Sequence, residues 1–555
     1  MTDDGASPGA PPGARSTPEE VDLLEEARPA EGMSLADIAR EIPDAGATVE
    51  GDGTVRCVGV HHDSRRVQPG DLFVVRRGEK YDGSAFVADA IARGAVALLA
   101  ERDVTGASGV PVIRVSDVPT GLAYAAAAVY GHPAFSLDVV GVTGTNGKTT
   151  TTHLVRAAID GALGLQKCGV VGTIGHSFAG RTIAAAHTTP EADELARVLA
   201  VMKKRGATHV AMEVSSIALV LGRVKAVRFR VAAFTNLTQD HLDFHGSMDA
   251  YAAAKMALFT TAEPGLAVVN VDDPFGARIA AAAKCKVLRV RTRLGADGAG
   301  NSDGDITPLS VDARPNGMRI VARVPGGTVE IKSRLVGLHN LENLLVAIGV
   351  ASVLELDVDR AAAALADEIG APGRLERCDD EGDDIVVLVD YAHTPDALGR
   401  VLDAVKAVRP EGARIVCVFG CGGDRDKAKR APMGEAVGAR SDIAIVTSDN
   451  PRTEAPEEIA APVEEGVRAT GLLRLAPQEV TAAKRGYVVE LDRQRAITLA
   501  IESARPGDVV LIAGKGHEDY QVVGTTKRPF DDRVEARRAL VARRARVGAA
   551  GGART

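Results

Sequence analysis

The chain has no tryptophan, and Phe, Trp and Tyr together make up only 3% of its 555 residues. Beside 59 glycines and a heavy use of Ala, Val and Arg, that scarcity is the imprint of a coding bias and carries no chemistry. Cysteine is also sparse. Cys57, Cys168, Cys285, Cys378, Cys417 and Cys421 are scattered with no CxxC pair, which fits buried thiols in a reducing compartment and argues against disulfides or structural zinc. No stretch approaches the roughly 18 apolar residues of a membrane span. The first thirty residues are rich in Pro, Gly and acid and lack the basic start and apolar core of a signal peptide, so a cytoplasmic protein is expected. A net charge of -8 speaks against bulk nucleic-acid binding.

What is present suits a large enzyme. The length corresponds to about three to four domains at roughly 150 residues each, and a hydrophobic content of 45% is enough for several cores. Composition shifts divide the chain into a disordered tail (1–30), a first domain (31–136), a second (137–370), a third (371–545) and a terminal tail (546–555). In the first domain strand-like TVRCVGVHHDSR and DLFVVRRG precede helical AFVADAIARG and the strand AVALLA. The second alternates HVAMEV, VAAFTNL and LAVVNV with Ala-rich helices, and a polar insert at 293–305 reads as a surface loop. The third alternates DIVVLVDY, ARIVCVFG, DIAIVT and DVVLIAG with helical segments. The fold class is α/β throughout, so ligands are expected at the carboxyl ends of the strands.

The strongest chemical signal is GVTGTNGKTT at 141–150. A valine-rich strand runs into a loop in which Gly144 and Gly147 turn backbone N–H groups toward an anion. Lys148 adds a point charge there, and the Thr149 hydroxyl can hold Mg²⁺. Val142 stands where the usual phosphate-loop pattern has its first glycine, and a plain glycine-rich turn opening a helix is the competing reading of this string alone. Glu213 lies at the tip of HVAMEVSS, and Asp240, His241, Asp243 and His245 lie just beyond VAAFTNL. Solvated loop acids are the bland account of either segment. Their joint position at strand ends beside a phosphate loop favours metal ligation. Lys255 falls on the apolar helix YAAAKMALF, where spacing alone does not separate it from a snorkelling surface lysine.

Eleven ordered strings carry a wider resemblance over nearly all of residues 50–545: GTNGKTT, HTTPEA, MEVSS, FTNLTQDHLDFHG, YAAAKMALF, LVGLHNLEN, PGRLE, VDYAHTPDAL, FGCGGDRD, TSDNPRTE and AGKGHEDYQ. They resemble the Mur ligases, the ATP-dependent amino-acid-adding family of peptidoglycan precursor synthesis, and within it the members that add meso-diaminopimelate. The resemblance implies a three-domain architecture: a UDP-binding first domain, a central P-loop ATPase domain and a Rossmann-like C-terminal domain. It implies ATP and Mg²⁺ as cofactors, UDP-N-acetylmuramoyl-dipeptide and meso-diaminopimelate as substrates, no nucleic-acid or membrane partner, and a monomer.

Residue by residue, the resemblance puts ATP on Gly144, Thr145, Asn146, Gly147, Lys148, Thr149 and Thr150, with Lys148 on the β/γ-phosphates. Asn270, His339, Asn340 and Asn343 resemble nucleoside-side positions, and Arg374 and Asp390 resemble those that close over the nucleotide. Thr149 and Glu213 would hold one Mg²⁺, and His241 with Lys255 as its carbamate a second. Lys148, Glu213, His241 and Lys255 are thus the implied catalytic set. Ser64 and Arg65 match a uridine-binding turn, while Thr188, Thr189, Ser215 and Arg223 match the positions that grip the muramoyl-dipeptide. Arg425, Asp449, Asn450, Pro451, Arg452, Gly514 and Glu518 match a diaminopimelate pocket.

Charge accounting supplies the chemistry this implies. A carboxylate does not react with an amine at neutral pH, so the γ-phosphoryl group of ATP first converts it to an acyl phosphate, which the amine then attacks. Diaminopimelate differs from lysine by one distal carboxylate, and the planar fork of Arg452 can pair it bidentately. A lysine-adding relative or a folylpolyglutamate synthetase is the alternative within the superfamily, against which the DNPR segment speaks. A silent P-loop scaffold is the alternative outside it, and such a chain is expected to have lost Lys148, Glu213, His241 or Lys255. One departure stands out: the family commonly reads SSHAL where this chain has SSIAL, with Ile217 in the histidine's place.

Overall fold

The computed structural model describes residues 23–44, 46–77, 82–101, 103–104, 109–293, 304–314, 317–380 and 382–552. The chain forms two compact units. One comprises Met1–Thr307, Arg323–Gly327 and Asn343–Ala364, and the other Pro308–Ala322, Thr328–Glu342 and Leu365–Thr555. No helix among the described residues is long and apolar enough to cross a membrane.

Two sheets organise the first unit. The smaller has five strands in the order Thr48–Glu50, Val112–Arg114, Ala95–Ala100, Asp71–Val74, Gly59–His61. Its three inner pairings are parallel and Thr48–Glu50 joins the edge antiparallel. The larger has eight, in the order Arg181–Ile183, Gly175–Phe178, Cys168–Gly172, His209–Glu213, Asp138–Thr143, Phe229–Phe234, Leu266–Asn270, Lys286–Val290. Strands buried on both faces read as continuous apolar runs, which is why Val139, Val140 and Val142 are fully covered. The strand Asp138–Thr143 lies between His209–Glu213 and Phe229–Phe234, whereas the next strand in sequence, Cys168–Gly172, pairs two places away. Chain direction therefore switches at the carboxyl end of Asp138–Thr143, where a crevice for ligands opens in such sheets.

The second unit holds a six-stranded sheet in the order Glu376–Arg377, Val386–Asp390, Val509–Ala513, Ile415–Cys421, Ile443–Ser448, Gly486–Val489, parallel apart from its first pair. Helices Pro395–Val408, Arg430–Arg440, Pro456–Ala469, Arg493–Ser503 and Asp532–Gly552 accompany it. Arg493 is the largest fully buried side chain. Its guanidinium pairs bidentately with the equally buried Asp532 at 2.7 Å and 2.7 Å, and donates to the carbonyls of Ser448 and Ala513.

The structure corrects the inner part of both expected tails, while residues 1–22 and 553–555 lie outside the described residues. Residues 23–30 are ordered: Leu24 is 3% exposed in the core of the larger sheet, Glu26 pairs with Arg205, and Arg28 reaches the buried Asp71 at 2.8 Å. Burying Leu24 contributes about 1.5–3 kcal/mol, to which the Glu26 and Arg28 ion pairs add, and the acidic flanks hid this anchor in the sequence. At the other end, the last helix continues past residue 546 to Gly552. Most of the expected loop at 293–305 lies outside the described residues. The sequence reading also omitted the strands Gly175–Phe178, Arg181–Ile183 and Gly486–Val489 and the hairpin Tyr520–Val523 with Thr526–Pro529.

Candidate active site

The phosphate loop joins the strand Asp138–Thr143 to the helix Lys148–Leu163. Gly147 caps that helix at φ +83°, where a β-carbon would stand 2.4 Å from Asn343 Oδ1, so only glycine fits. Asn343 is held in turn by the Thr151 hydroxyl at 3.0 Å. Thr145 N and Asn146 N donate to Asn236, and Thr150 is buried in the first helical turn. Lys148 Nζ lies back over the loop, donating to the carbonyls of Gly144 (3.0 Å) and Thr145 (2.9 Å). The N-terminus of the helix Lys148–Leu163 and the Lys148 ammonium thus meet at the loop, an arrangement suited to polyphosphate.

Glu213, 1% exposed, ends the strand His209–Glu213 beside that loop. Its carboxylate accepts from the Thr149 hydroxyl at 2.9 Å, from Thr173 N at 2.8 Å and from the Thr173 hydroxyl at 3.3 Å. A hydroxyl oxygen and a carboxylate oxygen in contact form the start of an all-oxygen donor set, which suits Mg²⁺. The same carboxylate leaves no room at Gly172, where a β-carbon would be 2.3 Å from Glu213 Oε1. Thr173 also touches the Thr188 hydroxyl at 3.0 Å. Thr189 ties the strand end together, donating to Glu213 O at 2.8 Å and accepting from Ser215 N at 3.0 Å. Arg223 reaches Thr189 O at 3.0 Å and Glu191 at 2.6 Å. Four of the expected dipeptide residues therefore form one contiguous network around the carboxylate.

Lys255 is 1% exposed on the helix Met248–Thr260, not a snorkelling surface residue. Its Nζ donates to Gly144 O at 2.8 Å and lies 4.6 Å from the centre of the Tyr251 ring. Two lysines thus share one carbonyl oxygen. Burial first, and the charge of Lys148 second, bring the Lys255 amine down to about 6. His241 is not joined to this group: among the described residues its side chain meets only Asp240 and the edge of Tyr251, and it stays 44% exposed. The imidazole nearer the centre is His245, whose Nε2 is 2.9 Å from the Ser216 hydroxyl, next to the half-buried Ile217. Asn270 serves the framework, donating to Thr235 O and accepting from Asp272 N. No group of three His, Cys, Asp or Glu side chains that could hold a metal gathers among the described residues. In the smaller sheet's domain Ser64 is buried in a short turn capped by Asp63, and Arg65 reaches outward, pairing with Asp63.

In the second unit, Asp449 and Asn450 follow the strand Ile443–Ser448, and Gly514 follows Val509–Ala513. Asn450 Nδ2 donates to Glu518 at 3.1 Å. Arg452 has a left-handed backbone at φ +52°, fixed on both sides by the hairpin through Arg452 N to Val522 O and Gly524 N to Arg452 O. Its Nη1 donates to Gly423 O at 2.7 Å. Pro451 is buried beside it, while Arg425 is exposed and, among the described residues, its side chain hydrogen-bonds Asp424 O alone. Asp390 accepts from Gly514 N at its carbonyl (3.0 Å) and from Leu375 N and Ala392 N at its carboxylate, and burial pushes that carboxyl up. Arg374 lies over the Tyr391 ring at 5.0 Å. Asn340 donates to Val336 O, at the start of the helix His339–Val353, which also carries His339. Sequence reasoning passed over Gly172, Thr173 and Lys515. The first two end a valine-rich strand in the way Glu213 does, and that was the available signal.

Three family models cover the chain in order: the Mur ligase family catalytic domain at 56–130, the Mur ligase middle domain at 142–351 and the Mur ligase glutamate ligase domain at 373–516. A UDP-N-acetylmuramoyl-L-alanyl-D-glutamate--2,6-diaminopimelate ligase of Gloeobacter violaceus is 47% identical over 88% of this chain and 94% of its own length. One of the same name from Streptomyces coelicolor is 41% identical over 90% and 96%. A solved structure titled with that ligase name superposes with a TM-score of 0.68 at 32% identity, covering 92% of this chain and 99% of the other. MurF from Acinetobacter baumannii, at 18% identity and a TM-score of 0.58, shares the fold. A phosphate loop with its buried partner glutamate, set inside three family domains and matched along nine-tenths of the chain, leaves one conclusion: the chain belongs to the Mur ligase family.

Proposed function

We infer that the protein is an ATP-dependent carbon–nitrogen ligase that adds meso-2,6-diaminopimelate to UDP-N-acetylmuramoyl-L-alanyl-D-glutamate in peptidoglycan precursor synthesis. The observation that carries this is the joint one of Lys148, Thr149 and Glu213 on the phosphate loop with 47% identity to a ligase named for that reaction. Lys148 and the loop N–H groups hold ATP. The γ-phosphoryl group passes to the substrate's D-glutamyl side-chain carboxylate, giving an acyl phosphate and ADP. The incoming amine attacks that carbonyl, and the tetrahedral intermediate collapses to amide and phosphate with loss of a proton.

The finer assignments follow the same logic. Residues 31–136 would take the uridine diphosphate through Ser64 and Arg65, residues 137–370 the nucleotide, and residues 371–545 the amino acid. Mg²⁺, which neutralises the mutual repulsion of ATP and the attacking carboxylate, would be held at one place by Thr149 and Glu213 and at a second by a carbamate on Lys255 with His241. The carbamate reading is supported by the depressed amine: at pH 7 to 8 Lys255 is neutral, and the neutral amine is the form that adds to CO₂, forming an N–C bond and releasing one proton. The negative charge of the product then complements the Lys148 ammonium. Arg452 and Glu518 face the distal carboxylate and ammonium of diaminopimelate. With no membrane-spanning helix among the described residues and water-soluble substrates, a cytoplasmic monomer is the natural setting.

The test is phosphate release from ATP with UDP-muramoyl-dipeptide and a panel of amino acids. Turnover with meso-diaminopimelate well above lysine, alanine and glutamate is expected. Equal turnover with lysine, or none with diaminopimelate, overturns the assignment.

A further inference from the structure

The amino-acid pocket contains a charged side chain to which nothing above gives a role. Lys515 is completely buried, yet it belongs to the loop after the strand Val509–Ala513. Its ammonium spends all three donors on neighbours of that pocket: Asn450 Oδ1 at 3.2 Å, Glu518 Oε2 at 3.2 Å and Asp449 Oδ1 at 3.5 Å. Asp449 and Asn450 come from the end of Ile443–Ser448, two places away in the sheet, so Lys515 reaches across the tip of the intervening strand Ile415–Cys421. The region above the sheet is thereby held by one cation.

Two consequences follow from the donor count. Asn450 Oδ1 accepts from both Lys515 and Val522 N, at 3.2 and 2.9 Å, so its amide nitrogen must be the end that faces Glu518. Glu518 Oε2 is then satisfied by Lys515 and Asn450, while Oε1 has no partner among the described residues and is open to an incoming ammonium. Two carboxylates and one ammonium also leave a single net negative charge. Beside them Arg452 is anchored by Nη1 to Gly423 O and, at 3.5 Å, to Asn450 O, and its Nε and Nη2 make no hydrogen bond among the described residues. One net negative place next to an arginine with two open donors matches a carbon bearing both an ammonium and a carboxylate.

We propose that Lys515 is a positioning residue that sets the charge and hydrogen-bond polarity of this pocket, so that it accepts a zwitterionic amino-acid end and rejects a bare ammonium. The proposal rests on the function inferred above and adds to it the element that balances Asp449 against Glu518. Without Lys515 the two carboxylates would favour a plain cation such as the lysine side chain, and the Asn450 amide would be free to turn.

The experiment measures steady-state kinetics of the full-length protein with ATP and UDP-muramoyl-dipeptide, using meso-diaminopimelate and L-lysine as amino acids. Lys515→Met should raise KM for diaminopimelate about tenfold or more with kcat within about threefold, and should lower the diaminopimelate-to-lysine ratio of kcat/KM at least about tenfold. Adding Asp449→Asn to that variant restores a single negative charge and should recover most of the KM. A merely structural lysine would leave the ratio unchanged and make the double variant no better than the single. An unchanged ratio, a double variant no better than Lys515→Met, or a double variant that fails to fold overturns the proposal. Wild-type protein that uses neither amino acid overturns the inferred function instead, and the same variants are then compared by calorimetric binding of meso-diaminopimelate.

Discussion

Replacing Lys255 by Met should make the helix Met248–Thr260 more stable, and the gain should depend on pH in a defined way. The ordinary lysine value is about 10.4, whereas burial and Lys148 bring this amine to about 6. Between those values the native state binds fewer protons than the unfolded one, so the native protein gains stability as pH rises, by about 1.4 kcal/mol per unit at most. The penalty is complete below about pH 6 and gone above about pH 10.4. At pH 7.5 it amounts to roughly three units, or about 4 kcal/mol. Met fills the space with a flexible apolar chain and forfeits the bond to Gly144 O, worth about 1 kcal/mol. The net gain is then about 3 kcal/mol at pH 7.5, falling to about 1 kcal/mol at pH 9. Hydrogen exchange of the amides of Met248–Thr260, in buffer depleted of CO₂ and corrected for intrinsic rates, reads this opening free energy directly. A variant that is no more stable than wild type, or a gap that stays constant from pH 7 to pH 9, refutes the reasoning from shared burial beside Lys148.

Three further outcomes are expected. Gly172→Ala places a methyl group against Glu213 Oε1, so the carboxylate must move; overpacking of about 1–3 kcal/mol and a fall in ATP-dependent phosphate release of at least about tenfold should appear together, and normal activity with a normal melting temperature would contradict the tight fit. Arg452→Ala should raise KM for meso-diaminopimelate by two or more orders of magnitude, from about 3–5 kcal/mol for a charge left without its partner, while KM for ATP is unchanged; equal losses for both would refute the assignment. Ile217→His should lower KM for UDP-muramoyl-dipeptide about threefold to a hundredfold with little change in kcat if the missing polar group mattered. A higher KM with a lower melting temperature would show instead that the half-buried site has repacked around isoleucine.

The fold class and most of the candidate site were legible because parallel α/β proteins write both in local strings. Each valine-rich run ended at a chemically marked residue, and Lys148, Glu213 and Asp449 were found at those ends. Lys255 could not be read from spacing, since an apolar helix with one lysine looks the same whether the ammonium reaches water or Gly144 O. Lys515 was missed for a similar reason: its three partners come from segments about 65 residues away and from its own turn, and only pairing across the sheet brings them together. Residues 23–30 were assigned to a tail because composition averaged over the whole segment concealed Leu24, whose burial depends on a surface far along the chain. The strands at 175–183 escaped notice because GHSF and RTI have too little apolar alternation to signal themselves.

The Arg493–Asp532 pair has a bearing on how the protein is made. Arg493 holds the carbonyls of Ser448 and Ala513, the residues immediately before Asp449 and Gly514, and its charge is answered by a carboxylate from the final helix. During synthesis the phosphate loop, Glu213 and Lys255 leave the ribosome hundreds of residues before Asp532 does. Until that helix docks, an uncompensated guanidinium lies under the two strand ends that carry the proposed amino-acid pocket. A chain that stops short of residue 532 thus carries the phosphate loop but lacks the group that steadies the proposed amino-acid pocket, so on that assignment the ability to choose the building block is acquired last.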